Sequence, residues 1–258
     1  MKSFGLIGHP LEHSFSKNYF ENKFEKENLD CNFSNFDLEN LDNLDKIISE
    51  NIDLKGFTIT YPYKNEIIKY LDFIDENAKE IGAVNVVKID SDRKLHGFNS
   101  DYIGFQGLLE DAIQDREIGR AFILGTGGAS KAVSFVLKNK NIDFQFITRN
   151  VRYENQKSYT ELKNEGFHDN ELIINATPIG MHPNTNNCLD LPFETLNPSD
   201  ILIDLIYNPE ETVFLKKGKS QGAKIFNGLK MLYLQADAAW KIWERESKVK
   251  RVELKEDK

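Results

Sequence analysis

The sequence FILGTGGASKA, from Phe122 to Ala132, decides the fold of this chain. An apolar run passes directly into glycines and then into residues that favour a helix, as in strands that deliver a dinucleotide pyrophosphate to a helix N-terminus. Gly125 allows the tight turn, and Gly127 lets the backbone approach the phosphates. Gly128 opens a helix whose free N–H groups and dipole favour an anion. The stretch predicts a dinucleotide site; the alternative is a strand-to-helix turn without a ligand.

Strand and helix candidates alternate on both sides of this stretch. The strand candidates before it are SFGLI, NFSNF, GFTIT and AVNVVKI, and those after it are FQFIT, LIINAT and ILIDLI. Such alternation predicts an α/β protein, and its interruption by a helix from Tyr102 to Ala112 predicts two domains. We place the first domain at residues 1–101 and the second at residues 102–228.

The last predicted helix, about Leu229 to Glu246, is apolar on two sides. Its two apolar stripes are Leu229, Leu232, Tyr233, Ala236, Ala239, Trp240 and Trp243, and Met231, Leu234, Ala238 and Ile242. A helix of this kind lies between two packing surfaces, so it is expected to bridge the domains or to return to the first. The tail after Ser247 is expected to be solvated and frayed.

Composition excludes several classes of function. Acidic residues outnumber basic ones by 41 to 33, and no dense block of Lys and Arg is present, so nucleic acid is not an expected partner. No apolar run approaches the roughly 20 residues of a membrane span, and the first residues do not resemble a signal peptide, so we expect a cytoplasmic protein. Cys31 and Cys188 have no paired spacing, which predicts neither a disulfide framework nor a metal site.

The residues at the end of the strand FQFIT bear on the choice of cofactor. An NAD enzyme commonly places Asp or Glu there to bind the ribose 2′-hydroxyl, whereas this chain has Thr148, Arg149, Asn150, Val151 and Arg152. Two arginines suit a 2′-phosphate, so NADP is the expected cofactor. The alternative is that both arginines are ordinary surface residues.

Several polar residues of the first domain are candidates for a substrate site, and each has a structural alternative. Ser14 and Ser16 precede a predicted helix and could hold a carboxylate, although helix capping by Ser16 is simpler. Lys64 follows the carboxyl end of a strand, which is where α/β proteins place catalytic and ligand-binding residues. An isolated lysine, however, is usually solvated. Asn85 lies among apolar residues and needs partners from the protein or a ligand. Asp101 starts a helix, where N-capping is the ordinary role.

Taken in order, eight segments resemble the shikimate dehydrogenase family over nearly the whole chain. They are GHPLEHSFS, GFTITYPYK, IGAVNVV, GFNSD, GTGGASKA, INATPIGM, IDLIYNP and NGLKMLYLQA. The resemblance implies an N-terminal substrate-binding domain and a Rossmann-like NADP-binding domain, with residues 229–258 returning to the first. It also implies reversible reduction of 3-dehydroshikimate to shikimate by NADPH, a step toward chorismate and the aromatic amino acids. The expected partners are small molecules, with the chain a monomer or a homodimer.

The resemblance also implies roles for individual residues. Lys64 and Asp101 are the catalytic pair, and Ser14 and Ser16 hold the substrate carboxylate. The other implied substrate-binding residues are Thr60, Asn85, Tyr207 and Gln235, and the implied cofactor-binding residues are Gly125, Gly127, Gly128, Ala129, Thr148, Arg149, Arg152 and Gly228. Two alternatives remain: a quinate or shikimate dehydrogenase that accepts NAD, and a non-catalytic relative that binds a shikimate-like acid.

Overall fold

The computed structural model describes residues 1–11 and 15–245, and the backbone of residues 251–253. The chain divides into two compact units. The first consists of Met1–Ser100 and Ala236–Lys258, and the second of Asp101–Gln235. The boundary between Gln235 and Ala236 lies inside the last helix, so the carboxyl-terminal part of that helix belongs to the first unit.

The strands and helices follow one another in the order that the alternation predicts, with several additional short strands. The first elements are β1 (Lys2–Gly8), α1 (Phe15–Lys26), β2 (Cys31–Asp37), α2 (Leu44–Glu50), β3 (Leu54–Ile59), a 3₁₀ helix (Glu66–Tyr70), β4 (Phe73–Asp75), α3 (Glu76–Ile81), β5 (Val86–Ile89) and β6 (Leu95–Phe98). They are followed by α4 (Asp101–Ile113), β7 (Arg120–Leu124), α5 (Gly128–Asn139), β8 (Phe144–Ile147), β9 (Gln156–Lys157), α6 (Tyr159–Glu165), β10 (Glu171–Asn175), a 3₁₀ helix (Phe193–Thr195), β11 (Ile201–Asp204), α7 (Val213–Ser220), β12 (Lys224–Phe226), α8 (Leu229–Glu244) and β13 (Arg251–Glu253).

The sheet of the first unit is mixed, in the order β13-β4-β6-β5-β3-β1-β2. Strand β1 pairs in parallel with β2 and β3, while β5 is antiparallel to both β3 and β6. At the far edge, Arg251–Glu253 pairs antiparallel with β4. The expectation of a frayed tail is therefore wrong for these three residues, because the edge of β4 offers unpaired backbone groups that another strand can take up. The remaining residues of the predicted tail lie outside the described residues.

Both faces of this sheet are covered, since successive side chains of a strand point to opposite faces. One face packs an aromatic cluster from α1, β1, β2 and the carboxyl-terminal part of α8. Phe4 stacks on Trp243 with ring centroids 4.7 Å apart, and the Trp243 indole N–H donates to the carbonyl of Val87 at 3.0 Å. The other face packs an aliphatic cluster that includes α2, the first 3₁₀ helix and α3.

The apolar stripes of α8 are only partly buried. Ala236, Ala239, Trp240 and Trp243 are buried in the aromatic cluster, as the stripe predicts. Leu229 and Tyr233, at the start of the same stripe, are 40% and 46% exposed. The prediction of one continuous buried stripe is therefore wrong for the amino-terminal part of the helix, because periodicity records which residues share a face and not what covers it.

The sheet of the second unit is entirely parallel, in the order β12-β11-β10-β7-β8-β9. With β7 counted as the first strand this is the doubly wound dinucleotide-binding order, in which the strand order reverses between β7 and β10. Helices α6 and α7 bury apolar residues against one face, and α4 and α5 pack together on elements that include β7 and β11. In this architecture ligands bind at the carboxyl ends of the strands beside the reversal point.

Within the described part of the chain, no helix combines the length and the apolar character that crossing a membrane requires.

Candidate active site

The turn after β7 needs glycine for two independent reasons. Gly125 has φ +99°, a left-handed conformation that glycine adopts without strain, and its N–H donates to the carbonyl of Ile147 at 2.9 Å. A Cβ at Gly125 would also lie 2.8 Å from Cγ2 of Thr177, which follows β10. The loop after β10 therefore packs directly against the glycine turn.

Gly127 differs, because no described neighbour requires a glycine there. Its φ is −80°, and a Cβ built on it would have none of the described atoms within 4 Å. Helix α5 begins at the next residue with no side-chain cap and no acidic residue in its first turn, so its N–H groups and dipole are available to an anion. The open space beside the backbone and the uncapped helix fit a dinucleotide pyrophosphate.

A cleft of about 680 Å³ continues from this loop along the carboxyl end of β8. Three cationic side chains and no acidic ones are among the residues that line it: Thr126, Lys131, Phe146, Thr148, Arg149, Asn150, Arg152, Tyr153, Asn155 and Gln156. A pocket with three cations and no carboxylate suits a ribose 2′-phosphate and does not provide the acidic partner that a free 2′-hydroxyl takes in NAD enzymes.

Lys131 is a member of this cleft that was not predicted from the sequence, although it lies in the glycine-rich stretch itself. It is four residues after Gly127, one turn into α5, and helical side chains lean toward the N-terminus of their helix. Its side chain is therefore directed back toward the glycine loop. The four-residue spacing from Gly127 could have identified Lys131 from the sequence. Three other lining residues have no comparable sequence pattern: Thr126, Asn150 and Tyr153.

On the other side of the reversal point, β11 ends in a buried carboxylate. Asp204 has 0% exposure, and its oxygens accept hydrogen bonds from Asn175 Nδ2, the backbone N–H of Ile206 and the Thr212 hydroxyl. Burial raises the pKa of Asp204 to about 6, and these three hydrogen bonds oppose the rise.

This raised pKa predicts how stability depends on pH. A carboxyl whose pKa is higher in the folded than in the unfolded state stabilises the fold while protonated, and that stability is lost as the pH rises from 3.8 to about 6. Between about pH 4.5 and about pH 7.5, we expect the wild type to lose about 2 kcal/mol of unfolding free energy relative to Asp204→Asn. Urea denaturation of both proteins at the two pH values checks this. A difference independent of pH would contradict the raised pKa.

In the first unit, three of the predicted substrate residues lie where the end of β3 is next to the start of its antiparallel neighbour β5. Thr60 comes directly after β3 and its N–H donates to the carbonyl of Ile7 at 2.9 Å. Lys64 is half-buried four residues later, and its carbonyl accepts from Val84 at 2.7 Å. Because β5 pairs with β3, Asn85 lies beside this segment, and its carbonyl accepts from the N–H of Ile59.

Asn85 finds partners within the protein. Its Nδ2 donates to the Ser100 hydroxyl at 3.0 Å, and its Oδ1 accepts from the N–H of Ser100 at 2.6 Å. The amide is 3% exposed, so these bonds satisfy a group that would be costly to bury alone. Asn85 thereby fixes Ser100, the last residue before α4.

The two serines near the start of the chain have different outcomes. Ser16 is the second residue of α1, so it lies inside the helix, and the expectation that it caps the helix is wrong. Ser14 lies outside the described residues.

The remaining predicted substrate residues belong to the second unit. Asp101 is the first residue of α4 and is buried. One turn later, a Cβ at Gly104 would lie 3.0 Å from Cβ of Gln235, so the start of α4 packs closely on α8 at this residue. The Gln235 amide donates to the carbonyl of Leu232. Tyr207 follows β11 and is half-buried, and this burial raises the pKa of its phenol.

Comparison with known proteins matches this arrangement to one family. Residues 6–87 match the family described as the shikimate dehydrogenase substrate binding domain. The chain is 39% identical to the shikimate dehydrogenase (NADP(+)) of Methanococcus maripaludis strain C7, over 94% of this chain and 91% of that protein. The chain belongs to the shikimate dehydrogenase family.

Solved structures of shikimate dehydrogenases agree with the fold. One, in complex with NADP⁺, has a TM-score of 0.82 and 39% identity, covering 95% of this chain and 90% of that one. Another, from Thermus thermophilus in complex with NADP(H) and shikimate, has a TM-score of 0.81 and 27% identity, covering 95% and 94%. The two-domain α/β fold predicted from the sequence is that of the shikimate dehydrogenase family.

Gly228, which the shikimate dehydrogenase resemblance assigns to cofactor binding, has a structural requirement of its own. A Cβ there would lie 2.0 Å from the carbonyl oxygen of Leu205, and the Gly228 N–H donates to the carbonyl of Ile206 at 3.0 Å. Only glycine allows this close approach of two backbone segments.

Gly228→Ala is therefore expected to lower the free energy of unfolding by about 2 to 3 kcal/mol, because the methyl group must displace backbone. Gly127→Ala is the matched control, since its methyl group enters open space and should change stability by less than about 0.5 kcal/mol. Chemical denaturation without cofactor measures both. Equal stability of the two variants would contradict the close approach at Gly228.

Proposed function

We propose that this protein catalyses the reversible, NADPH-dependent reduction of 3-dehydroshikimate to shikimate, a step toward chorismate and the aromatic amino acids. The observation that carries the proposal is the glycine turn after β7 opening into a cleft with three cations and no carboxylate. Membership of the shikimate dehydrogenase family, with a relative named as NADP(+)-dependent, supports the same substrate and cofactor.

The cofactor is NADP, and the second unit holds it. Gly125, Gly127, Gly128 and Ala129 accommodate the pyrophosphate at the start of α5. The 2′-phosphate is bound by residues around the end of β8 and the first turn of α5: Thr148, Arg149, Arg152 and Lys131. Gly228 contributes by keeping two backbone segments close together. NADPH, when bound, supplies the hydride.

Lys64 is the acid and base of the reaction. Hydride addition to a ketone builds negative charge on the carbonyl oxygen, which a nearby ammonium stabilises and then neutralises by donating a proton. In the reverse direction the neutral amine accepts the proton of the shikimate hydroxyl. Asp101 is the carboxylate that we assign to the same catalytic pair.

The other polar residues bind the substrate. Ser14 and Ser16 hold the carboxylate, as hydroxyl groups near a helix start can. The hydroxyl groups of the ring are bound by Thr60, Asn85, Asp101, Tyr207 and Gln235. Buried or half-buried polar groups of this kind reject substrates that leave them unpaired, which makes the site specific for a polyhydroxy acid.

The protein acts in the cytoplasm, as a monomer or a homodimer, with small molecules as its partners. The net charge of −8 supports an absence of nucleic acid binding, because phosphate backbones are bound by clusters of Lys and Arg.

The proposal is tested by initial rates with shikimate or quinate and with NADP⁺ or NAD⁺. We expect the highest kcat/KM for shikimate with NADP⁺. Comparable values for quinate and NAD⁺ would support the broader quinate or shikimate dehydrogenase instead. Absence of turnover in all four combinations, with shikimate still bound, would support the non-catalytic relative.

A further inference from the structure

The carboxylate of Asp204 joins the ends of two neighbouring strands. Asn175 and Asp204 are the last residues of β10 and β11, are paired in register, and both have 0% exposure. Asn175 Nδ2 donates to Asp204 Oδ1 at 3.0 Å, so the two side chains are fixed to each other across the sheet. Both strands are otherwise largely apolar, so these two buried polar side chains need an explanation. The proposed reaction assigns neither of them a role.

On the β10 side, the network continues to the glycine turn. Asn175 Oδ1 accepts from both the N–H and the hydroxyl of Thr177, at 3.0 and 2.7 Å. The Thr177 hydroxyl in turn accepts from the N–H of Ile179 at 3.2 Å. Since Cγ2 of Thr177 lies against Gly125, the conformation of the loop after β10 is set by Asn175 and defines one border of the glycine turn.

On the β11 side, the same carboxylate fixes a second loop. Oδ1 also accepts from the N–H of Ile206 at 3.0 Å, and Oδ2 accepts from the hydroxyl of Thr212 at 2.6 Å. Thr212 caps α7, and Ile206 immediately precedes Tyr207. Asp204 therefore fixes the backbone immediately before Tyr207, and with it the position of Tyr207 after β11.

Both loops lie on the side of the reversal point that is opposite the cationic cleft. A dinucleotide crosses the carboxyl ends of the strands at this point, with its pyrophosphate at the glycine turn. Its 2′-phosphorylated half is directed toward the three cations of the cleft, which are Lys131, Arg149 and Arg152. The nicotinamide half must then extend toward β10 and β11, where the loops fixed by Asp204 are.

We propose that Asp204 is a positioning residue, which holds the loops after β10 and β11 so that they orient the nicotinamide half of the cofactor. This inference rests on the proposed function. Asp204 acts through Asn175, Thr177 and the Ile206–Tyr207 segment and does not itself touch the reacting atoms.

The test compares two substitutions of this carboxylate. Asp204→Ala removes all three acceptor contacts. Asp204→Asn keeps Oδ1 for Asn175 and Ile206, and its amide can donate to the Thr212 hydroxyl, so it should restore the loops. We expect Asp204→Ala to lower kcat about 100-fold, the effect of misplacing reacting groups by about 1 Å, and Asp204→Asn to stay within about threefold of the wild type.

Two binding measurements separate positioning from a general loss of structure. The affinity for 2′-phospho-ADP-ribose, which lacks nicotinamide, should change less than about twofold in Asp204→Ala, because the cationic cleft is intact. The fluorescence of bound NADPH, which reports the surroundings of the nicotinamide, should differ from that of the wild type. Thr177→Val removes one hydroxyl from the network and should change the NADPH emission in the same direction. This variant keeps the inference testable if Asp204→Ala does not fold.

Asp200→Ala is the matched control. Asp200 is equally buried next to the opposite end of β11, where it accepts from the N–H groups of Glu171 and Asn197. It should lower stability but leave kcat and NADPH emission unchanged.

Unchanged kcat and emission in Asp204→Ala and Thr177→Val would overturn the inference, as would equal losses of affinity for NADPH and 2′-phospho-ADP-ribose. Failure of the proposed function is distinguishable, because the wild type itself would then neither bind 2′-phospho-ADP-ribose nor oxidise shikimate.

Discussion

Replacing Lys64 with alanine is expected to lower kcat by about two to four orders of magnitude while leaving the affinity for NADPH nearly unchanged. The lysine is half-buried after β3 in the first unit, whereas the glycine loop and the cationic cleft belong to the second. Removing the ammonium takes away the proton donor for the developing alkoxide and no group that holds the cofactor. Steady-state kinetics and a fluorescence titration with NADPH separate the two effects.

Lys69→Ala provides the control, because Lys69 is an exposed lysine in the 3₁₀ helix that follows Lys64. Its turnover should equal that of the wild type. Near-normal turnover of Lys64→Ala would exclude this lysine as the acid and base. A parallel loss of NADPH affinity would show that the substitution disturbs more than the proton transfer.

Replacing Arg149 with alanine is expected to raise the KM for NADPH about 10- to 100-fold and to leave kcat/KM with NADH unchanged. A hydrogen bond to a charged group contributes about 1.5 to 3 kcal/mol, and only the phosphorylated cofactor makes this one. The effect on kcat at saturating NADPH should be small, since the 2′-phosphate is distant from the reacting carbon. Lys131→Ala should act in the same direction, because Lys131 lines the same cleft.

Arg116→Ala is the control for this experiment, since Arg116 is an exposed arginine of the same unit outside the cleft. Arg116→Ala should leave the KM for NADPH and kcat/KM with NADH unchanged. If Arg149→Ala weakened NADPH and NADH equally, the arginine would serve the fold or the shared part of the cofactor, and the preference for NADP would need another source.

The sequence was most informative where local backbone physics leaves few choices. The turn at Gly125, the uncapped start of α5 and the fully buried parallel strands follow from glycine conformation and from apolar runs of strand length. Arg149 and Arg152 could be placed because they follow β8, a short and largely apolar strand of the same sheet. The fold and the choice of NADP as cofactor were therefore predictable.

Features that depend on neighbours distant in sequence were not predictable in the same way. The Asp204–Asn175 pair exists because β10 and β11 are adjacent and in register, which no pattern within either strand records. The short strands β4 and β9 are likewise defined by pairing with neighbouring strands, β4 with β6 and β9 with β8. Burial of the α8 stripe begins only after Tyr233 for the same reason, since what covers a face is a tertiary property.

Direct hydride transfer between shikimate and NADP is the central claim, and isotope transfer measures it most directly. Shikimate carrying deuterium on the carbon that is oxidised is incubated with the protein and NADP⁺, and the reduced cofactor is analysed by mass spectrometry. We predict NADPH that carries the deuterium in proportion to the 3-dehydroshikimate formed. Absence of reduced cofactor, or NADPH without deuterium, would contradict direct transfer.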